Sequence, residues 1–287
     1  MANVPPDLAQ YPFYRARMQN DGRPAPWTLT DLEEFARTHP GDPFAGRALP
    51  GVKPKVALQI EATAEPPVWT ALNPPEPDAW AKVLARMWAR WGIARGETIG
   101  FFDYGSSPLV LLASGCYVAY LGRGASDRLG LSAICNDGVA AMAPRMAGIV
   151  EAVKPAAVVL RADLVAPFAS ALEASGRVLT GRVRWAAMAE VEGVPTRASA
   201  VRAAEALGVP VYRILRSDAA FLLAGECPSC RMFHLDRSYR AESLPAGEVA
   251  ITAGFARSCP AVRYNIGAAR IAGRGCAIEP SEERIEC

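Results

Sequence analysis

The chain has 287 residues, 51% apolar and 21% charged, enough to bury a substantial core as one large domain or two small ones. Thirty-one Lys and Arg stand against 29 acids, a net charge of +2 that leaves no electrostatic footprint for nucleic acid. No basic stretch followed by an apolar core opens the chain, and its longest apolar stretch, around Leu109 to Leu121, is too short to cross a bilayer; with seven scattered cysteines, an odd number that fits reduced thiols or a metal site, this reads as a cytoplasmic protein with no membrane span.

Leu8 to Asp21 reads as a short helix carrying Tyr11, Phe13 and Tyr14, and Thr30 with Glu33 forms a capping box for a helix from Asp31 to Thr38. His39, beside Pro40 and Gly41, belongs to an exposed loop. A strand from Val56 to Ile60 precedes a Pro-rich connector from Pro66 to Pro77. Asp78 to Gly92 then sets Trp80, Leu84, Met87, Trp88 and Trp91 on one helical face. Core packing explains that stripe more simply than ligand stacking.

From Ile99 short apolar runs alternate with helical patterns: strand Ile99 to Phe102, helix from Pro108 towards Leu121, strand Leu131 to Cys135, helix Ala141 to Val153, strand Ala156 to Leu160. Helix Asp163 to Ala174, strand Val183 to Ala187, helix Arg197 to Leu207 and strand Val211 to Leu215 follow. After them only strands are predicted, among them Glu248 to Ala253 behind a turn at Pro245 and Gly247, and another through Val262, Arg263 and Tyr264. The expected class is α/β, a parallel sheet covered by helices on both faces with a β-rich C-terminal part. The expected divisions are residues 1–77 as arm and connector, 78–218 as the α/β body and 219–287 as the β-rich end.

Several side chains invite chemistry. Asp103-Tyr104-Gly105-Ser106-Ser107 forms a polar turn at the end of a predicted parallel strand, where α/β folds line their ligand crevices; an ordinary strand-to-helix loop with a Ser cap is the simpler reading. Cys116 has no histidine near it in sequence to serve as a base, and its neighbours read as helix core. Cys227-Pro228-Ser229-Cys230 and His234, with Cys259 and Cys276 further on, offer soft ligands at the short spacing of a tetrahedral zinc knuckle. Against this stands the reading of small buried apolar cysteines beside a hydrogen-bonded histidine.

Several stretches, taken together and in order, resemble phenylacetate-CoA ligases of the adenylate-forming acyl ligase superfamily. They are YPFYRARMQNDGR followed by TLTDLEEF, DAWAKVLARMWARWGIARGETIGFF, then GEC, HL, GEVAITA and PAVRYNIG. The resemblance implies the large N-terminal domain of such a ligase, with a region around Tyr104, Ser106, Ser107 and Tyr212 approaching an acyl or aryl-CoA ligand. It also implies a dimer. Such ligases are similar in four requirements, and this sequence departs from each.

The family holds ATP phosphates on a Ser/Thr/Gly-rich loop with a lysine; here the segment is Glu61-Ala62-Thr63-Ala64-Glu65-Pro66-Pro67, without glycine or lysine. At about 4 Å each carboxylate repels a phosphate charge by roughly 1 to 4 kcal/mol. The glutamate of a Tyr-Gly-x-Thr-Glu motif, which serves the accompanying metal, becomes Arg216 in Tyr212-Arg213-Ile214-Leu215-Arg216, with Asp218 as a stand-in only from a shifted backbone. The ribose-gripping aspartate expected soon after Arg263-Tyr264 is replaced by Ala268. A small C-terminal domain with a catalytic lysine is not expected in the residues up to Cys287. ATP and Mg²⁺ are therefore not expected as cofactors.

Some of these ligases carry a structural zinc on a Cys and a His in the same Glu-Cys-…-His stretch, plus cysteines beyond the Arg-Tyr strand. The resemblance thus implies zinc on Cys227, His234 and Cys276, with Cys230 or Cys259 completing the shell. Three functions follow as expectations. The first is a ligase homologue that no longer adenylates and serves as an acyl- or thioester-binding or accessory subunit, with a protein partner or a second copy of itself; the second is a divergent active acid-thiol ligase; the third is a zinc-bearing structural or regulatory module.

Overall fold

The protein is described here by a computed structural model covering residues 7–51, 53–63, 65–105, 107–114 and 123–287. Contacts group the chain into two compact units, one of residues 1–80, 217–222 and 232–287, the other of residues 81–216 and 223–231.

In the first unit the single helix expected over Leu8 to Asp21 is instead a 3₁₀ turn, Leu8–Gln10, followed by α1, Pro12–Ala16. The break has a local cause. Tyr11 precedes a proline, whose ring disfavours the helical region one residue back, and Tyr11 is extended (φ −92°, ψ 118°). The next helix, α2, spans Leu29–Thr38 and begins two residues before the predicted Asp31. Its capping box is Thr28 with Asp31, replacing the expected pairing of Thr30 with Glu33. Both pairs fit the pattern, but only Thr28 has the extended backbone of a cap (φ −116°, ψ 174°), and its amide donates to Asp31 at 2.7 Å. His39 caps the other end of α2 and stacks on Phe35 at 4.0 Å, exposed as expected.

Strands β1, Val56–Gln59, and β2, Trp69–Leu72, pair as an antiparallel hairpin. Helix α3, Glu76–Arg90, follows, and the expected tryptophan stripe is core: Trp80, Leu84, Met87, Trp88 and Trp91 are all buried.

The second unit holds the predicted alternation: β3 (Thr98–Asp103), α4 (Pro108–Ser114), α5 (Ala125–Leu129), β4 (Ser132–Asp137), α6 (Ala143–Val153), β5 (Ala157–Arg161), α7 (Val165–Ala174), β6 (Trp185–Ala189), α8 (Arg197–Leu207) and β7 (Val211–Ser217). These five strands pair in parallel in the order β4, β3, β5, β6, β7. Side chains alternate across the sheet and give it two apolar faces. Phe102, Val158, Leu160 and Met188 face one core with Met146, Phe168 and Leu207 of the covering helices. On the opposite face Trp88 meets Phe101 at 5.7 Å, and Trp91 meets Trp185 and Tyr212 at 5.1 and 5.4 Å. This is the expected α/β class.

The remaining strands are β8 (Leu222–Glu226), β9 (Phe233–Leu235), β10 (Tyr239–Leu244), β11 (Glu248–Ala253), β12 (Ala261–Ala268), β13 (Arg270–Gly273) and β14 (Glu283–Glu286). In the first unit β10, β11 and β12 form an antiparallel meander, and β13, β14 and β9 pair antiparallel in that order. The N-terminal arm is stitched to the meander. Trp27 donates its amide to Arg263 O at 3.1 Å and accepts from Asn265 N at 2.8 Å, while its indole donates to Val262 O at 2.6 Å. Tyr14 donates to Pro260 O at 2.6 Å and accepts from Val262 N at 3.1 Å. Burial first of all pushes the Tyr14 phenol far above its ordinary value, so it remains a donor. Tyr14→Phe strands two buried backbone groups and is expected to lower the unfolding free energy by about 1 to 3 kcal/mol in a urea titration. Among the described residues no helix is long and apolar enough to cross a membrane.

Candidate functional site

The C-terminal ends of β3 and β7 bring together four polar side chains from residues 113 positions apart at most. Arg216 is fully buried, and its guanidinium donates to Asp103 Oδ2 at 2.8 Å, to the Tyr104 hydroxyl at 3.0 Å and to Ser107 Oγ at 3.2 Å. Ser107 donates to the same Asp103 oxygen at 2.6 Å, and Tyr104 N donates to Asp103 Oδ1 at 2.9 Å. The Arg216 guanidinium also lies 5.6 Å from the Tyr104 ring centre. Its backbone is held as well, by two hydrogen bonds with Gly193 at 2.7 and 2.8 Å. Each partner thus restrains the others, and the cation is neutralised by Asp103 and hydrogen-bonded by the two hydroxyls.

The local sequence explains this arrangement. Alternation along β3 puts Asp103 on the same face as Phe101, and alternation along β7 puts Arg216 on the same face as Tyr212, so both point to one side of the sheet. Gly138 lets the chain after β4 pass against Asp103; a Cβ there would stand 2.7 Å from the Asp103 backbone. Ser107 Oγ accepts from Leu109 N at 3.1 Å, so the serine caps α4 as the simpler sequence reading has it, besides binding Asp103 and Arg216.

Around the cluster lies the rim of the parallel strands, the usual ligand crevice of this architecture. A cavity of about 360 Å³ opens beside Asp103, with Cys135, Asn136, Asp137 and Arg145 in its wall. Further along, Arg161 pairs with Asp163 and lies 5.9 Å from the Tyr104 ring centre. Burial, reinforced by the charge of Asp163, raises the carboxyl of Glu190 above its ordinary value.

Of the residues singled out for ligand binding, Tyr104 and Ser107 meet here together with Arg216. Tyr212 does not join them. It lies four residues before Arg216, roughly 13 Å back along the strand, stacked on Trp91 with Arg231 over its ring. Ser106, Ala64 and Cys116 lie outside the described residues. Sequence reasoning noted Asp103 only as part of a polar turn; its partnership with Arg216 has no signature in spacing.

In the other unit the segment after β1 closes on itself. Thr63 donates its hydroxyl to Ile60 O at 2.7 Å and accepts from Val68 N at 3.1 Å, while its amide also donates to Ile60 O. Glu61 and Glu65 are exposed to solvent. The Thr63 amide and hydroxyl are thus committed within the turn. Arg263, in β12, pairs with Glu242 and donates to Pro24 O at 2.6 Å. Ala268 ends the same strand opposite Glu248 and offers no polar side chain.

The thiol-rich constellation is drawn together. Cys227, Cys230, His234 and Cys276 each offer a ligand atom, and these atoms lie within 4.8 Å of one another. Arg231 N donates to Cys227 O at 3.0 Å, and Arg231 takes a left-handed φ of 58°, closing the turn that holds the Cys-x₂-Cys pair. His234 Nδ1 stands 3.6 Å from Glu282 Oε2. Sulfurs on a tetrahedral zinc, bonded at about 2.3 Å, lie roughly 3.8 Å apart. Three thiols and an imidazole at this separation fit that ion. Cys259 is buried but is not a member of the group.

No protein-family profile matches the chain, and no curated protein matches it in sequence. Its fold, however, has solved counterparts. An open conformation of 2-hydroxyisobutyryl-CoA ligase in complex with 2-HIB-AMP and CoA is similar at a TM-score of 0.74 and 17% identity, covering 96% of this chain and 69% of that one. The same ligase in the thioesterification state, also with 2-HIB-AMP and CoA, is similar at 0.73 and 19% identity, over 96% and 62% of the two chains. In the postadenylation state with 2-HIB-AMP the TM-score is 0.70 at 18% identity, over 96% and 62%. The chain thus spans between 62% and 69% of these ligases and has the fold of the N-terminal domain of adenylate-forming ligases.

Proposed function

We propose that this chain is a degenerate, phenylacetate-CoA ligase-like homologue that does not adenylate, and that it acts as an acyl- or thioester-binding or accessory subunit. One observation supports the reading: Arg216, which the resemblance sets at the position of the metal-binding acid, is a fully buried cation locked to Asp103, Tyr104 and Ser107. A Mg²⁺ ion needs oxygen ligands at about 2.1 Å in octahedral array, and a guanidinium supplies only donors and positive charge. The self-closed turn at Thr63 adds to this, since phosphate binding requires donors turned outward. Ala268 supplies no acceptor for ribose hydroxyls.

A loading test follows directly. ATP-dependent pyrophosphate exchange with aliphatic or aromatic carboxylic acids is expected to stay at background, and calorimetry is expected to give no ATP heat but saturable binding of an aryl-CoA thioester. Pyrophosphate exchange above background would instead favour the divergent ligase to which the fold likeness lends support. The proposed companion, another protein or a second copy of this chain, is sought by pull-down and by mass measurement in solution.

The metal group favours a second, compatible reading in which structural zinc bound by Cys227, Cys230, His234 and Cys276 ties together the chain segments that carry them. A closed four-ligand shell supplies cross-linking rather than catalysis, since no coordination position stays open.

A further inference from the structure

The first unit contains a cavity that the ligase reading does not use. It is small, about 180 Å³, and to an apolar surface that includes Leu8 and Val262 its wall adds the charged side chains of Arg23 from the N-terminal arm, Arg240 and Glu242 from β10 and Arg263 from β12. Arg240 and Glu242 are two residues apart and share one face of their strand, and Arg240 lies opposite Thr252 in the ladder.

Arg263 reaches this cavity through a distortion of its strand. Ile251 pairs with Tyr264 but Ala253 pairs with Ala261, so β12 carries one extra residue over this interval. Arg263 sits in that bulge at φ 59°, a left-handed conformation that is strained for a non-glycine residue. Its amide donates to Thr252 Oγ1 at 3.1 Å, and its guanidinium meets Glu242 and Pro24 O. Bulges commonly re-aim side chains towards binding sites.

The charges are unbalanced. Glu242 is shared by Arg23 and Arg263, and although burial opposes ionisation, the hydrogen bonds from Arg263 and Arg23 hold its carboxyl below the ordinary range. One carboxylate therefore serves two guanidiniums, and Arg240, exposed at the mouth, makes no ion pair among the described residues. The lining has an excess of positive charge and planar donor forks. Its volume lies below the roughly 300 Å³ at which drug-sized ligand sites begin.

We infer that the pocket of Arg23, Arg240 and Arg263 binds a single phosphoryl group, either free phosphate or the head of a phosphate monoester. Glu242 fixes two of the guanidiniums in place, and Arg240 closes on the anion. The pocket is too small for a nucleotide and is independent of the thioester reading.

Calorimetry on the full chain at low ionic strength tests the inference, with inorganic phosphate in one arm, glycerol 3-phosphate in another and chloride at matched ionic strength as control. Saturable heat is expected in at least one phosphate arm and not with chloride. Binding of both ligands, or of the monoester alone, assigns an esterified phosphoryl group; binding of the inorganic ion alone assigns free phosphate. Arg240→Gln, at an exposed side chain that holds no structural ion pair, is expected to weaken binding about fivefold to tenfold. Arg263→Lys keeps the charge but loses the fork and is expected to weaken it as well. Absence of saturable phosphate heat, or an affinity unchanged in Arg240→Gln, overturns the proposal.

Discussion

Replacing Arg216 by alanine is expected to lower the stability of the protein by about 3 to 5 kcal/mol, because it leaves the Asp103 carboxylate buried without its cation. The size of the loss follows from burial on both sides of the pair: the Arg216 side chain is 0% exposed and that of Asp103 4%. Urea denaturation would record a lower midpoint with an unchanged slope. Removing both charges at once, as Asp103→Leu with Arg216→Met, should recover most of the loss, since an apolar pair of similar volume carries no desolvation penalty. Arg216→Glu should fold worst of all, for it places a second carboxylate against Asp103. A fully stable Arg216→Ala protein that gained ATP binding would overturn the view that this cation is built into the fold. It would mean that the arginine merely occludes a competent nucleotide site.

Loss of the metal group should have an effect of similar size. Protein purified without chelator is expected to contain one zinc per chain by elemental analysis, and Cys227→Ser or His234→Ala should abolish it while lowering stability by at least about 3 kcal/mol. Cys259→Ser distinguishes zinc ligation from ordinary cysteine packing. Its side chain is buried but outside the ligand group, so zinc content should stay at one per chain even if some packing energy is lost. Chelator treatment of the parent should reproduce the instability of the ligand variants, and adding back zinc should reverse it. Zinc-free protein with unaltered stability would leave the four side chains as core packing.

Much of the architecture was legible along the chain, and the reasons lie in particular residues. Helix α8, Arg197–Leu207, and strand β11, Glu248–Ala253, begin and end where their patterns do, because Thr196 caps the helix, Gly208 closes it in the left-handed region, and alternation marks the strand. At the N-terminus the pattern misled. Two Thr-x-x-acid pairs overlap there, and only backbone geometry selects Thr28 with Asp31 over Thr30 with Glu33. The tryptophan stripe of α3 was readable because 3.6-residue spacing states which side chains share a face.

The candidate site divides along the same line. Local sequence determined that the Thr63 segment lacks glycine and lysine and that Cys227, Cys230 and His234 lie at ligand spacing, since each depends only on residue type and short separation. Only the tertiary structure decided what Arg216 does, by setting it against Asp103 from 113 residues away, and which cysteine joins the group that could hold a metal, by bringing in Cys230 and leaving Cys259 aside. It also decided the direction of Arg263, through one extra residue in β12. The physical reason is the same in each case: electrostatic and coordination partners are chosen by distance in space, and long loops cost little more entropy than short ones, so sequence separation carries almost no record of them.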